Sequence, residues 1–299
     1  MQSSFADQKL RVVTSTPDIA WLFNQIGGSK VKTESLLNGT ENPHFVDAMP
    51  HFVSKVADAD IVCVVGMELE LAWMPKVLSK SGNSQVQSGG KGHCEAGKTV
   101  TALDVPTSKI DRSMGDVHPQ GNPHFHLSPE AMIQAGETVL ETLISVSPSH
   151  AETFLKNFTL FENRLKAIKT KVSSILLPLK GKNIMEYHKE YSYFLNSFGL
   201  TNIGAIEKVP GVTPSAGRIA RVSFDAKKLD VHLAIAAENS PRNILKKFSS
   251  ISKVRHVILP LSITKPDNKN AYEDFLTEIA SKLAGIKKNV SKKQSKSIY

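Results

Sequence analysis

Apolar positions in the first third of the chain fall into short unbroken runs, and between these runs apolar residues recur at helical spacing. Residues 10–16 (Leu-Arg-Val-Val-Thr-Ser-Thr) read as a β-branched strand. Pro17-Asp18 opens a helix with Ile19, Leu22, Phe23 and Ile26 on one face, closed by Gly27-Gly28. A strand at 31–37, a helix at 46–57, a wholly apolar strand at 60–65 and a helix at 69–78 follow. After a Gly/Ser-rich loop at 79–97, a strand is predicted at 100–105 and a helix at 129–143. Strands that are apolar throughout, rather than alternating, predict a parallel sheet covered on both faces.

The pattern changes at 149–179. Phe154, Leu155, Phe158, Phe161, Leu165, Ile168, Val172, Ile175 and Leu176 recur at helical spacing, which predicts one helix about 45 Å long at 1.5 Å per residue. Such a helix in mid-chain reads as a spine between two lobes. The α/β alternation then restarts, with strands at 183–187, 200–206, 231–237 and 254–259 and a closing helix at 271–283. The expected organisation is an α/β fold of two lobes, each a parallel sheet flanked by helices. Residues 1–146 form the first lobe, 147–180 the spine, 181–286 the second lobe and 287–299 a basic flexible tail.

Composition narrows this picture. A chain of 299 residues, 40% hydrophobic and 22% charged, has room for two real cores. It has no run of about 18 apolar residues, so no membrane-spanning helix is predicted. The start carries no secretory apolar segment, as in a mature chain whose leader has been replaced by Met. The net charge of +9 raises the question of nucleic acid. Much of the excess lies in Lys287, Lys288, Lys292, Lys293 and Lys296 of the tail, and the chain is only 7% aromatic, without basic–aromatic alternation. Nucleic acid is not an expected partner. Cys63 and Cys94 either pair in an oxidising compartment or remain one buried and one exposed thiol.

The candidate chemistry lies in histidines. Asn42-Pro43-His44-Phe45 recurs as Asn122-Pro123-His124-Phe125, and each copy leads into a helical pattern. Proline stiffens both turns, and neutral imidazole is the commonest metal-ligand side chain. Both turns follow candidate strands, and His188 and Glu238 end strands of the second half. Ligands of parallel sheets gather at those carboxyl ends.

Together these residues resemble the periplasmic or lipoprotein solute-binding proteins of zinc and manganese ABC importers, the TroA-like, cluster A-I group. The resemblance rests on Asn42-Pro43-His44, on Ala59 to Val62 continuing through Gly66 to Glu70, on Asp111 to His118 and on Gly121 to Pro129. It continues in Tyr187-His188-Lys189, Tyr193-Phe194, Gly199-Leu200 and Pro210-Gly211. It implies two α/β lobes on a long helix, with one metal ion in the cleft between them. It also implies His44, His124 and His188 as ligands, with His126 structural or behind the ligands and His118 a weaker candidate. Where relatives carry an Asp-Pro pair on the last strand, this chain has Leu259-Pro260, which cannot ligate. Glu238 is therefore the expected fourth ligand, ahead of Glu207 and a water. Read from its own position, Glu238 equally suits an acid near a positive helix end. The His-rich loop of many zinc members is absent, and only His93 lies in that region.

Three imidazoles with one carboxylate or water suit tetrahedral Zn²⁺, with Mn²⁺ second. The expected protein is a monomeric periplasmic receptor that hands its metal to the membrane permease of an ABC importer, and not an enzyme. One alternative is a zinc hydrolase using an open fourth position, although no HExxH motif is present. The other is an adhesin-type surface-binding protein, suggested only by the basic tail.

Overall fold

The computed structural model describes residues 8–107, 118–209 and 211–286. Its first sheet is built from β1 (Leu10–Thr14), β2 (Val31–Ser35), β3 (Ile61–Val64) and β4 (His93–Glu95). Helices α1 (Pro17–Gly27), α2 (Pro50–Ala57) and α3 (Met74–Ser81) connect them, and α4 (Pro129–Val146) follows. The second sheet comprises β5 (Asn183–Glu186), β6 (Thr201–Ala205), β7 (Val231–Ala237) and β8 (His256–Leu259). Its helices are α6 (Ser192–Ser197), α7 (Ala216–Lys228), α8 (Arg242–Ser252) and α9 (Ala271–Ala284). Between the sheets runs α5 (Ala151–Leu176).

Both sheets are parallel, with orders β2-β1-β3-β4 and β6-β5-β7-β8. The same topology therefore occurs twice. In each sheet the strand order reverses beside the first strand, between β1 and β3 and between β5 and β7. Such a reversal leaves a crevice beyond the carboxyl ends, where α/β proteins bind ligands.

The predicted architecture of two sheets on a long helix is present, and three local expectations are corrected. Residues 100–105 are not a strand; the fourth strand is His93–Glu95, inside the Gly-rich loop. Pairing of Val62 with His93 and a Cys63–Cys94 disulfide hold it beside β3, so tertiary pairing overrides its weak local preference. The helix expected from 46 starts at Pro50, where the ring's fixed φ suits the first helical position. The helix expected at 69–78 starts only at Met74; residues 67–73 are a run of turns, entered through Gly66, Met67 and Glu68 with consecutive positive φ values of 81°, 53° and 66°. Proline in the first turn suits the later start. The spine has 26 residues, about 39 Å at 1.5 Å per residue, with single-turn 3₁₀ segments at Pro148–His150 and Leu177–Leu179. Pro178 shortens it: Leu177 is still helical (φ −50°, ψ −41°), but the proline has no backbone N–H to continue the ladder. The expectations on residues 111–117, on Pro210 and on the basic tail lie outside the described residues.

The largest core cluster runs from one sheet to the other. It joins Val12 and Ile61 of the first sheet to Ile184 and Leu233 of the second. Phe154, Phe161, Leu165, Ile168, Val172 and Leu176 of the spine lie within it. Full burial of six such side chains stabilises by very roughly 10–15 kcal/mol before chain entropy is counted. Trp21 of α1 packs on Phe161 of the spine (5.9 Å between rings) and on Tyr272 of α9 (5.0 Å). On this side the halves are joined by apolar contact, which confines motion to the opposite, polar side.

Candidate metal centre

Each predicted histidine lies in a segment that follows a strand. His44 lies in the loop after β2, His124 just before α4, and His188 two residues beyond β5. The two Asn-Pro-His copies fold alike at their cores. The Asn42 side-chain oxygen accepts the His44 backbone N–H at 3.1 Å, and Asn122 accepts that of His124 at 2.9 Å. These are Asx turns, with the intervening proline restricting the backbone. The first is braced by Trp73, whose indole N–H donates to the Pro43 carbonyl at 2.9 Å. The second begins at Gly121, with φ of 104°, where an added Cβ would stand 2.7 Å from the Leu103 carbonyl oxygen. Only glycine fits there. The copies diverge one residue later: Phe45 is 64% exposed, whereas Phe125 is buried in the core. His124 is thus anchored more firmly than His44.

The structure brings His44, His124 and His188 together. One ring nitrogen from each falls within 4.8 Å of the others. His44 Nε2 and His124 Nε2 are 3.5 Å apart. Two nitrogens bound to one tetrahedral zinc at about 2.0–2.1 Å would stand roughly 3.4 Å apart. The spacing fits a shared ion. His188 Nδ1 is 2.8 Å from Glu207 Oε2, which leaves Nε2 as the free donor. A carboxylate behind the ligand nitrogen is the usual device for fixing a metal-binding imidazole.

Glu238 is not brought into this group. Its side chain is 63% exposed, its carboxylate is 4.0 Å from Lys282 Nζ, and its carbonyl accepts from Arg242. It leaves the end of β7 on the solvent side and is not among the three grouped donors. Glu207 stands behind His188, with its Oε2 also accepting the Gly211 N–H at 3.1 Å. His126 Nε2 is 2.6 Å from the Leu261 carbonyl, so it joins α4's entrance to the loop after β8. Leu259 is buried, and its carbonyl accepts from the Tyr191 hydroxyl.

The electrostatics divide the site. Burial, with the neighbouring His118 and His188, lowers the His44 pKa to about 3. Burial and the surrounding imidazoles hold His124 well below the usual histidine range. Burial also opposes charge on His188, but the Glu207 hydrogen bond and the nearby charges of Glu190, Glu207 and Glu186 outweigh it and raise its pKa. Glu186 and Glu190 are themselves pushed up by burial, to about 8 and about 7. Glu207 is the acid in hydrogen-bond contact with His188, at 2.8 Å.

With this geometry in hand, similarity to known proteins decides the family. Residues 12–288 match the family described as ZnuA, zinc-uptake complex component A, periplasmic. The chain belongs to that family. The zinc-binding lipoprotein AdcA of Streptococcus pneumoniae serotype 4 is 26% identical over 293 residues, covering 94% of this chain but 56% of AdcA. The chain thus spans just over half the length of that relative. The high-affinity zinc uptake system protein ZnuA of Yersinia pestis is 25% identical over 286 residues, covering 90% of this chain and 89% of that one. The solved structure of the FpvC solute-binding protein from Pseudomonas aeruginosa with Mn²⁺ superposes with a TM-score of 0.78 at 20% identity, covering 93% and 98%. That likeness supports the fold of this ZnuA-family chain.

Residue-by-residue reading of this ZnuA-family sequence missed three buried carboxylates. Glu186 accepts from the Tyr191 N–H at 2.6 Å and from the Asn202 side chain. Glu70 accepts from Ser15, Val65 and Gly66, and burial raises its pKa to about 7. Glu190 lies beside His188. The available signal was an acid ending the apolar run Asn183–Glu186, since a charge in a covered strand demands partners.

Proposed function

We propose that this chain is an extracytoplasmic receptor that captures a divalent transition metal between its two halves and passes it to the membrane permease of an ABC importer. The observation that carries this reading is the convergence of three imidazoles, from positions 44, 124 and 188, with donor atoms within 4.8 Å. Zn²⁺ is the first expected cargo and Mn²⁺ the second, because nitrogen donors suit tetrahedral zinc and manganese favours oxygen-rich sites. The names of AdcA and ZnuA, which state zinc binding and zinc uptake, support the same cargo. They also support a carrier rather than an enzyme. A periplasmic location accords with the family description and with the Cys63–Cys94 disulfide, a bond of oxidising compartments.

On this reading residues 1–146 and 181–286 are the lobes, 147–180 the spine and 287–299 a tail, and the receptor acts as a monomer. His44 and His124 offer neutral imidazoles, while His188 loses a proton from Nε2 as the metal arrives and keeps its Nδ1 bond to Glu207. The apolar joint around the spine limits how far the halves separate. Calorimetric titration with zinc tests the proposal. One tightly bound zinc per chain, weakened by about a hundredfold in His44→Ala, is expected; no zinc binding, or binding unchanged in that variant, would overturn it.

A further inference from the structure

Beside the three histidines stands a fourth. The His44 ring centroid is 5.0 Å from that of His118, closer than it stands to His124 (5.5 Å) or to His188 (6.3 Å). The Met67 backbone hydrogen-bonds the His118 ring, yet Nε2 is buried with no partner. The proton therefore resides on Nδ1, and Nε2 presents a lone pair. A buried acceptor left without a donor is destabilising, so such an atom calls for an explanation. Metal-binding imidazoles are commonly oriented in this way, with one nitrogen held by a backbone carbonyl or carboxylate and the other turned to the ion.

The opposing loop supports this reading. Met67 belongs to the left-handed stretch Gly66-Met67-Glu68. Non-glycine residues in that region are strained, and persist where surrounding contacts dictate them. The dictating contacts are present: buried Glu70 accepts the Val65 and Gly66 N–H groups at 2.7 and 3.2 Å. The loop so held sets the Met67 backbone against His118. Another buried atom without a partner is Oε2 of Glu190, two residues beyond His188 and interacting electrostatically with it.

We infer that His118 supplies the fourth ligand, with Nε2 completing an all-imidazole site with His44, His124 and His188 when the metal is captured. In the structure Nε2 of His118 is not among the three donors within 4.8 Å, so capture includes a small approach of this ring. An all-nitrogen tetrahedral site would bias the receptor further toward zinc and away from manganese. The inference rests on the proposed metal capture at His44, His124 and His188.

The test is a crystal structure of the zinc-loaded chain with anomalous scattering at the zinc edge, alongside zinc affinities by chelator competition for the wild type, His44→Ala and His118→Ala. The expected structure has His118 Nε2 at about 2.0–2.1 Å from the ion. His118→Ala is expected to weaken zinc by at least the roughly ten- to hundredfold that loss of an outer-shell partner costs, and to narrow the zinc–manganese preference. Glu190, another protein atom or a water in the fourth position overturns the assignment, as does a His118→Ala affinity within threefold of wild type. Zinc binding lost in His44→Ala but retained in His118→Ala sinks only this inference. Wild-type protein that fails to bind zinc sinks the proposed function with it.

Discussion

The two sides of the cleft contribute the same chemical group in opposite electrostatic settings. From the first sheet, His44 and His124 are buried among other imidazoles, and burial keeps them neutral, His44 down to about 3. From the second sheet, His188 is equally enclosed, but Glu207 at 2.8 Å and the acids beyond it push its pKa the other way. One half is thus ready for metal over the whole working pH range, while the other competes with protons. Three imidazoles at one proposed site therefore need not act as one titrating unit. The site carries a single pH-sensitive member.

The largest effect should come from breaking the side common to both readings. His44→Ala or His124→Ala should weaken zinc by about a hundredfold, taking the roughly 10–16 kcal/mol of a structural zinc site as shared among four ligands. Chelator competition measures this, and a loss below tenfold for both would refute the cluster as the binding site. Next comes the acid that makes the halves differ. Glu207→Gln should lower zinc affinity at pH 8 by about tenfold through lost orientation of His188. The same substitution should shift the acid loss of binding to lower pH, because the His188 proton is no longer held; an unshifted profile would deny Glu207 that role.

Glu238→Ala should leave affinity within threefold of wild type, since this exposed carboxylate faces Lys282. This also marks what the sequence could and could not convey. The two lobes, the spine and the three histidines were legible because apolar periodicity and a repeated Asn-Pro-His turn encode them locally. The fourth strand was not, because His93–Glu95 is a strand only through pairing with β3. Glu238 misled because a strand end fixes position along the sheet but not which way the next side chain leaves it. Glu207 was named from the sequence as a ligand, yet its position behind His188 depends on β6 lying next to β5.

The smallest effect concerns stability without metal. Glu70, Glu186 and Glu190 have folded pKa values near 7, 8 and 7 against an ordinary 4.5, so they stabilise the fold below pH 4.5 and lose that contribution as pH rises through 7–8. His188, also raised, acts in the same direction. His44, His118 and His124 are lowered, so their contribution is complete above pH 6.5 and is lost on acidification, toward about 3 for His44 and about 4 for His118. Above pH 6.5 only the first set changes. The metal-free Tm should fall by a few degrees between pH 6.5 and 8.5, for a loss of about 1–3 kcal/mol. A flat or rising Tm in calorimetry would show that these acids are already ionised in the fold.

The most direct measurement is zinc binding at pH 6 by calorimetry in two buffers of different ionisation enthalpy. The divided site predicts one zinc per chain with close to one proton released, from His188. Release of two or more protons, or none, would contradict the separation of one protonated imidazole from its neutral partners.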